Sequence, residues 1–204
     1  MIIVFMGVQG SGKGTQAKIL ADKLNIPHVN TGGIFRSAQG ELKEKIDSYI
    51  NVGKLVPDEL TIELIKKRIS ESDCKNGFIL DGFPRNIEQA KALDKITKVD
   101  KVIEITLDDK EALRRLIGRR TCKSCKIDYN VNISELKPKK DELCDNCGEK
   151  LYKREDDTEE AIKQRIKIYH EETEPVIKHY SSVKIDGAPN IEKVSESIMD
   201  ALNK

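Results

Sequence analysis

Apolar positions fall in two rhythms along this chain, and the two alternate. Short apolar-rich runs come at Ile2–Met6, at residues 77–81 (Gly-Phe-Ile-Leu-Asp), at residues 99–107 and at Val183-Lys184-Ile185. Runs of this length, bounded by turn residues, predict buried strands. Between them apolar residues recur every three or four positions, the period of a helix with one buried face. This predicts helices from about Lys13 to Leu24, from Thr31-Gly32-Gly33 through Arg36, over residues 41–52 and 58–72, and from the turn Gly82-Phe83-Pro84-Arg85 to about Leu93. Three more follow: residues 111–119 with Leu113, Leu116 and Ile117 on one face, residues 158–180 with Ile162, Ile166 and Tyr169 in register, and a last helix marked by Ile191, Val194, Ile198 and Leu202. Pro27 breaks the chain before a short strand at Val29, Gly53 and Pro57 separate two helices, and Pro175 should kink or interrupt the long one. Alternating strands and helices predict an α/β fold with a parallel sheet and right-handed crossovers. In such sheets ligands gather at the carboxyl ends of the strands.

Chemistry appears first at one of those ends. Directly after Ile2–Met6 the chain reads Gly7-Val8-Gln9-Gly10-Ser11-Gly12-Lys13-Gly14-Thr15. Strand, glycine-rich turn and helix in this order make a phosphate-binding loop. Its glycines let backbone N–H groups turn toward phosphate oxygens, and the helix N-terminus adds its positive dipole end. Lys13 supplies a mobile charge for the outer phosphates. The common form places Ser or Thr right after the lysine, whereas here Gly14 intervenes before Thr15. Asp81 stands at the end of another strand, where an acid either holds magnesium through waters or serves as a turn or cap.

The 204 residues suit one α/β core with insertions. Charged residues make up 35%, yet the signs cancel to +1, which lacks the basic excess of a general nucleic-acid binder. The apolar stretches are too short to span a bilayer, and the start shows no signal-peptide pattern. A cytoplasmic location is therefore expected, with a monomer the default. In that reducing setting paired cysteines point to metal before disulfide. Cys122-x2-Cys125 and Cys144-x2-Cys147, eighteen residues apart, give two knuckles that together complete a tetrahedral thiolate site suited to zinc. A redox dithiol pair is the alternative reading; a catalytic zinc would need an open position that four thiolates do not leave. Cys74 reads as a small buried residue, and His28, His170 and His179 show no ligand spacing.

Arginine is the other clustered type. Arg36, Arg85, Arg115, Arg119, Arg120, Arg154 and Arg165 fall at element ends or flank the cysteine insert. Guanidinium forks bind phosphate oxygens in pairs, as phosphoryl transfer requires. Asp156-Asp157 either cap the helix that follows or pair with these arginines.

Over essentially its full length the chain resembles the adenylate kinase family. The matching pieces are Gly7 to Thr15, Thr31-Gly32-x3-Arg36, Lys54-Leu55-Val56, Asp81-Gly82-Phe83-Pro84-Arg85 with Gln89, Gly118-Arg119-Arg120, Arg154-x-Asp156-Asp157, and Arg165. The cysteine insert resembles the long zinc-binding lid of bacterial-type members. The resemblance implies a P-loop three-layer sandwich around a five-stranded parallel sheet. The core would comprise residues 1–29, 57–118 and 156–204, with a helical AMP-binding segment at 30–56 and a zinc-ribbon-like lid at 119–155. It implies reversible phosphoryl transfer from MgATP to AMP, giving two ADP, with a structural zinc. Carried over, Gly10, Ser11, Gly12, Lys13, Gly14 and Thr15 hold the ATP phosphates. Arg115 stacks on the ATP base and Arg119 reaches its phosphates. Thr31, Gly32, Leu55, Val56, Gly82 and Gln89 surround AMP, while Arg36 and Arg85 hold its phosphate. Arg154 and Arg165 meet the transferring group when the lid shuts, and Asp81 holds magnesium through waters. Lys13, Arg85, Arg119, Arg154 and Arg165 form the catalytic set.

This sequence departs from the family pattern at three positions. Gly33 stands where an acid is common after Thr-Gly, Gln9 replaces a proline, and Asn130 replaces a histidine beside Tyr129. Two other readings compete. Kinases for UMP or CMP usually carry Ala in place of Thr31 and a short lid without zinc. A zinc-ribbon binding module on a nucleotide switch would explain the cysteines but not Arg36, Arg85 and Gln89.

Overall fold

The first strand shows how the core is built. In β1 (Ile2–Met6), Ile3 and Phe5 point to one layer of helices, and Val4 and Met6 to the other. A strand covered on both faces has no polar side, which is why the run is continuously apolar. The computed structural model describes residues 1–203. β1 lies at the centre of a five-stranded sheet in the order β2-β3-β1-β4-β7, every pair parallel. The other strands are β2 (His28–Asn30), β3 (Phe78–Asp81), β4 (Lys101–Thr106) and β7 (Ser182–Asp186). Chain order reverses across β1, so a crevice opens beyond its carboxyl end.

Helices α1 (Lys13–Leu24) and α9 (Ile191–Leu202) cover one face through Ala17, Leu20, Val194 and Ile198. Helices α4 (Asp58–Ile69), α5 (Ile87–Ile96) and α8 (Glu174–His179) cover the other through Ile65, Leu93 and Val176. Two smaller units protrude from this sandwich. Helices α2 (Thr31–Ser37) and α3 (Gly40–Ile50) gather around Phe35, Ile46 and Val56. Beyond α6 (Asp109–Gly118), the antiparallel pair β5 (Arg119–Thr121) and β6 (Asp128–Asn130) carries its own cluster of Cys122, Tyr129, Cys144 and Leu151. α6 packs on α7 (Glu159–Ile168) through Ala112, Leu116, Ile162 and Ile166, tying the base of that unit to the core.

The long helix expected over residues 158–180 is three pieces. After α7 the chain widens into a π-helical turn at Tyr169–Thr173, and α8 begins at Glu174. Pro175 thus falls in the first turn of a new helix, where the helix needs no N–H from it. The helix expected over 58–72 stops at Ile69, and a 3-10 turn at Ser72–Asn76 buries Cys74. The helix expected from residue 111 starts at Asp109 because Asp108 caps it, accepting from the backbone N–H of Lys110 and Glu111.

Candidate active site

The loop after β1 turns on three glycines with positive φ: Gly7 at 135°, Gly10 at 89° and Gly12 at 97°. Gly7 is fixed twice over, since a Cβ there would stand 2.2 Å from the Ile105 carbonyl oxygen. Gly12 is the N-cap of α1, and no side chain caps that helix or places an acid in its first turn. The free N–H groups and the dipole end are left for an anion. The Ser11 hydroxyl is buried without a partner beside them. Lys13 Nζ donates to the carbonyls of Gly7 and Val8 at 2.6 and 2.7 Å. Burial pushes its ammonium down to about 8, with Asp81 opposing and Arg85 and Arg119 assisting.

A cleft of about 870 Å³ runs from this loop to α2. Its walls include Gly10 to Thr15, Thr31, Gly32, Arg36, Leu55, Val56, Gly82, Arg85 and Gln89, together with Arg115, Arg119, Arg154 and Arg165. Every ligand-contact residue expected from the sequence, Asp81 among them, therefore meets one space. Among the described residues, neither Arg36 nor Arg85 has an ion pair. Arg85 spends only Nε, on the Gly82 carbonyl at 2.9 Å. Burial holds the Arg85 guanidinium below its ordinary range. Enclosure in the cleft, with Arg154 and Arg119 close by, pushes Arg36 down to about 10, although its surface still reaches the cleft's solvent. Both stay charged at neutral pH. Two arginines lining one cleft, neither tied up in an ion pair, form a site for a polyanion.

Of the other arginines, Arg120 donates only to the carbonyls of Ile117 and Arg119, at 3.1 and 2.8 Å, and the rest are paired with acids. Arg119 donates to both Asp157 oxygens at 2.8 and 2.6 Å. Arg165 reaches Asp157 at 3.0 Å and Asp156 at 2.8 Å. Arg154 binds Asp128 at 2.7 and 2.5 Å and the Thr121 hydroxyl at 3.0 Å. The choice left open for Asp156-Asp157 is thereby resolved: they pair with arginines, and Thr158 caps α7 by accepting from the Ala161 N–H. Arg115 is held by Glu111 at 2.7 Å and donates to the Gly187 carbonyl at 2.9 Å, which fixes its guanidinium in the cleft wall.

Asp81 ends β3 beside Lys13. It accepts from Asn30 Nδ2 at 2.5 Å and meets His28 Nε2 at 3.2 Å. Burial pushes its carboxyl up, but the His28 hydrogen bond, the Lys13 charge and Asn30 outweigh it and hold it below the carboxylate range. An ionised carboxylate facing the phosphate loop suits a hydrated magnesium ion. In the protruding β5–β6 unit, the Sγ atoms of Cys122, Cys125, Cys144 and Cys147 all lie within 4.8 Å of one another. A tetrahedral zinc–thiolate centre has sulfur–sulfur edges of about 3.8 Å. The 3.5 Å between Cys122 and Cys147 is close to that edge.

The family model described as adenylate kinase matches residues 5–185. The chain is 44% identical to an adenylate kinase of Caldicellulosiruptor saccharolyticus, covering 99% of both chains. It is 45% identical to one from Methanocella arvoryzae, covering 100% of this chain and 99% of the relative. With one from Clostridioides difficile it shares 46% over 99% and 98%. The chain belongs to the adenylate kinase family. Adenylate kinases are nucleoside monophosphate kinases, so the protein is a phosphotransferase, and its five-stranded parallel sheet with helices on both faces is consistent with a P-loop kinase.

Several residues of this adenylate kinase site escape sequence reasoning. His28 reads as structural or exposed, yet it sits on Asp81. Asn30 both caps α2, accepting from Gly33 N–H at 2.6 Å, and holds Asp81. Asp128 carries Arg154, and Asp58 carries Gln89. None belongs to a motif, and apart from the Asn30 cap of α2 each contact joins segments at least 26 residues apart. An acid or amide flanking a strand end is the only local signal. Asn130 is buried, donates to the Arg115 carbonyl at 2.8 Å and accepts from Asn132 N–H at 2.9 Å. It fixes the base of the lid from inside. No helix of the described residues is long and apolar enough to cross a membrane.

Proposed function

We propose that this chain transfers a phosphoryl group reversibly between MgATP and AMP, giving two ADP. The observation that carries this reading is one cleft with an uncapped phosphate loop at one end and the unpaired pair Arg36 and Arg85 at the other. A triphosphate and a monophosphate fit head to head between them. Lys13 and the loop amides hold the triphosphate, and Thr15 lies beside it. Arg36 and Arg85 fix the acceptor phosphate in line. Arg119, Arg154 and Arg165 surround the transferring group, exchanging some acid contacts for phosphate oxygens. No side chain acts as a strong base; positioning and charge neutralisation carry the reaction. One well-placed arginine is worth on the order of a thousandfold or more in rate. Magnesium, when bound with ATP, neutralises charge on the phosphates, and Asp81 would hold it through waters. Residues 30–56 serve as the acceptor-binding segment and residues 119–155 as the lid. The core is residues 1–29, 57–118 and 156–204. Arg115 flanks the ATP base, while Thr31 and Gln89 read the AMP base. The four lid cysteines hold a structural zinc, supported by their convergence. The lid excludes water that would otherwise take the phosphoryl group. The chain works in the cytoplasm.

The test is transfer from MgATP with AMP, UMP, CMP and GMP compared at equal concentration. Rapid ADP formation with AMP alone is expected. Preference for UMP or CMP would move the chain to the pyrimidine branch, whose members usually carry Ala where this chain has the buried Thr31.

A further inference from the structure

Gln89 is one of the most enclosed residues of the cleft wall, 2% exposed, and both ends of its amide are already engaged. Its Oε1 accepts the backbone N–H of Arg85 at 2.8 Å. Its Nε2 donates to Asp58 Oδ1 at 2.7 Å. These partners leave no ambiguity about which end is which. A backbone N–H only donates, and a carboxylate only accepts, so the amide cannot flip without opposing donor to donor and acceptor to acceptor. Asp58 itself is held in place. It sits in the first turn of α4 and takes Asn86 Nδ2 at 2.9 and 3.0 Å, while Asn86 Oδ1 caps α5 by accepting from the Gln89 backbone N–H at 2.9 Å. Asp58 does not line the cleft.

We propose that Asp58 is a specificity-determining positioning residue: by pinning the Gln89 amide in one orientation, it selects a 6-amino over a 6-oxo purine in the monophosphate acceptor. This rests on the acceptor reading above. The pinned amide keeps one N–H on Nε2 and one lone pair on Oε1. Adenine offers an acceptor at N1 and a donor at its 6-amino group. A 6-oxo purine offers the reverse, a donor at N1–H and an acceptor at O6. With the amide fixed, a base in one pose satisfies both groups only if it carries the adenine pattern. The 6-oxo base leaves both unpaired, and a buried polar group left unpaired is costly.

The experiment compares AMP with inosine monophosphate as acceptors, with MgATP as donor, in the full-length wild type and two variants. Asp58→Ala removes the acceptor for Nε2. Asp58→Asn keeps one oxygen for the two contacts that Oδ1 receives and loses only the second Asn86 contact, to Oδ2 at 3.0 Å. The ratio of kcat/KM for AMP over inosine monophosphate should fall about tenfold in Asp58→Ala. The fall should come from a raised KM for AMP, with KM for ATP unchanged, and Asp58→Asn should restore most of the ratio. Equal loss on both acceptors, or an unchanged ratio, would overturn the assignment and leave Asp58 a helix-terminal acid. No transfer to AMP by the wild type would instead overturn the acceptor reading, and this inference with it. A second measurement needs no variant. The Gln89 side-chain NH2 in the wild type should show two well-separated, exchange-protected proton signals, and exchange at the rate of exposed amides would refute the pin.

Discussion

Asp157 is fully buried, and the Arg119 guanidinium closes on it from 38 residues away with both oxygens engaged. The pair joins the start of β5 to the residue just before the Thr158 cap of α7, and Arg165 completes it at 3.0 Å. Burial alone would raise the Asp157 carboxyl, but Arg119 and Arg165 hold it below 3.8. Removing the acid strands the half-buried Arg119 guanidinium and leaves Arg165 with Asp156 alone. Asp157→Ala is therefore expected to cost about 3–5 kcal/mol in denaturant unfolding. The pH dependence follows from the depressed value. The stabilisation is full above the unfolded value of 3.8 and is lost as pH falls through the lower folded value. Wild-type and Asp157→Ala unfolding free energies should converge only in that acid range; a constant difference down to the lowest pH would contradict the pairing.

Lys13 has the same pH slope as Asp157, but as a penalty relieved rather than a stabilisation gained. Its folded value of about 8 lies below the ordinary 10.5, so the folded chain binds fewer protons than the unfolded one between them. The penalty is full below pH 8 and fades as pH rises toward 10.5. Nucleotide phosphates would restore the charge. ATP binding at pH 8 should take up roughly half a proton, read by calorimetry in buffers of different ionisation enthalpy. Binding heats that do not depend on the buffer would refute it.

The lid carries little apolar core beyond Tyr129, Leu151 and the cysteines themselves. One zinc per chain is expected by elemental analysis. Cys122→Ala should release it and melt the lid at lower temperature, while the sheet persists by far-UV circular dichroism. An unchanged melting profile with metal retained would exclude a structural role.

Thr173, in the π-helical turn, donates to the Arg85 carbonyl at 2.8 Å, so the widened helix reaches across to the acceptor loop. Thr173→Val keeps the shape and deletes the donor. It should cost about 1 kcal/mol of stability and raise KM for AMP more than KM for ATP. Equal effects on both would show that the contact merely supports the fold.

The phosphate loop, the alternation of strands and helices and the paired cysteines were legible because each is local. A glycine turn, an apolar period or a Cys-x-x-Cys knuckle is complete within a few consecutive residues. Pro175 announced a break in the same way, but the π-helical turn that absorbs it depends on packing and was not visible.

The sequence alone determined the class of chemistry. Residues 7–15 can do little but bind phosphate, and the arginines can do little but meet anions. Tertiary structure decided which arginines are free and which are paired. Among the described residues Arg36 and Arg85 form no ion pair, whereas Arg119 and Arg165 share Asp157. It also decided that Asp156-Asp157 bind arginine rather than cap a helix, and that His28, Asn30 and Asp58 serve the site. The reason is physical: a side chain's charge and hydrogen-bonding capacity are written in its identity, but its partner is chosen by whichever distant segment the sheet order brings within 3 Å.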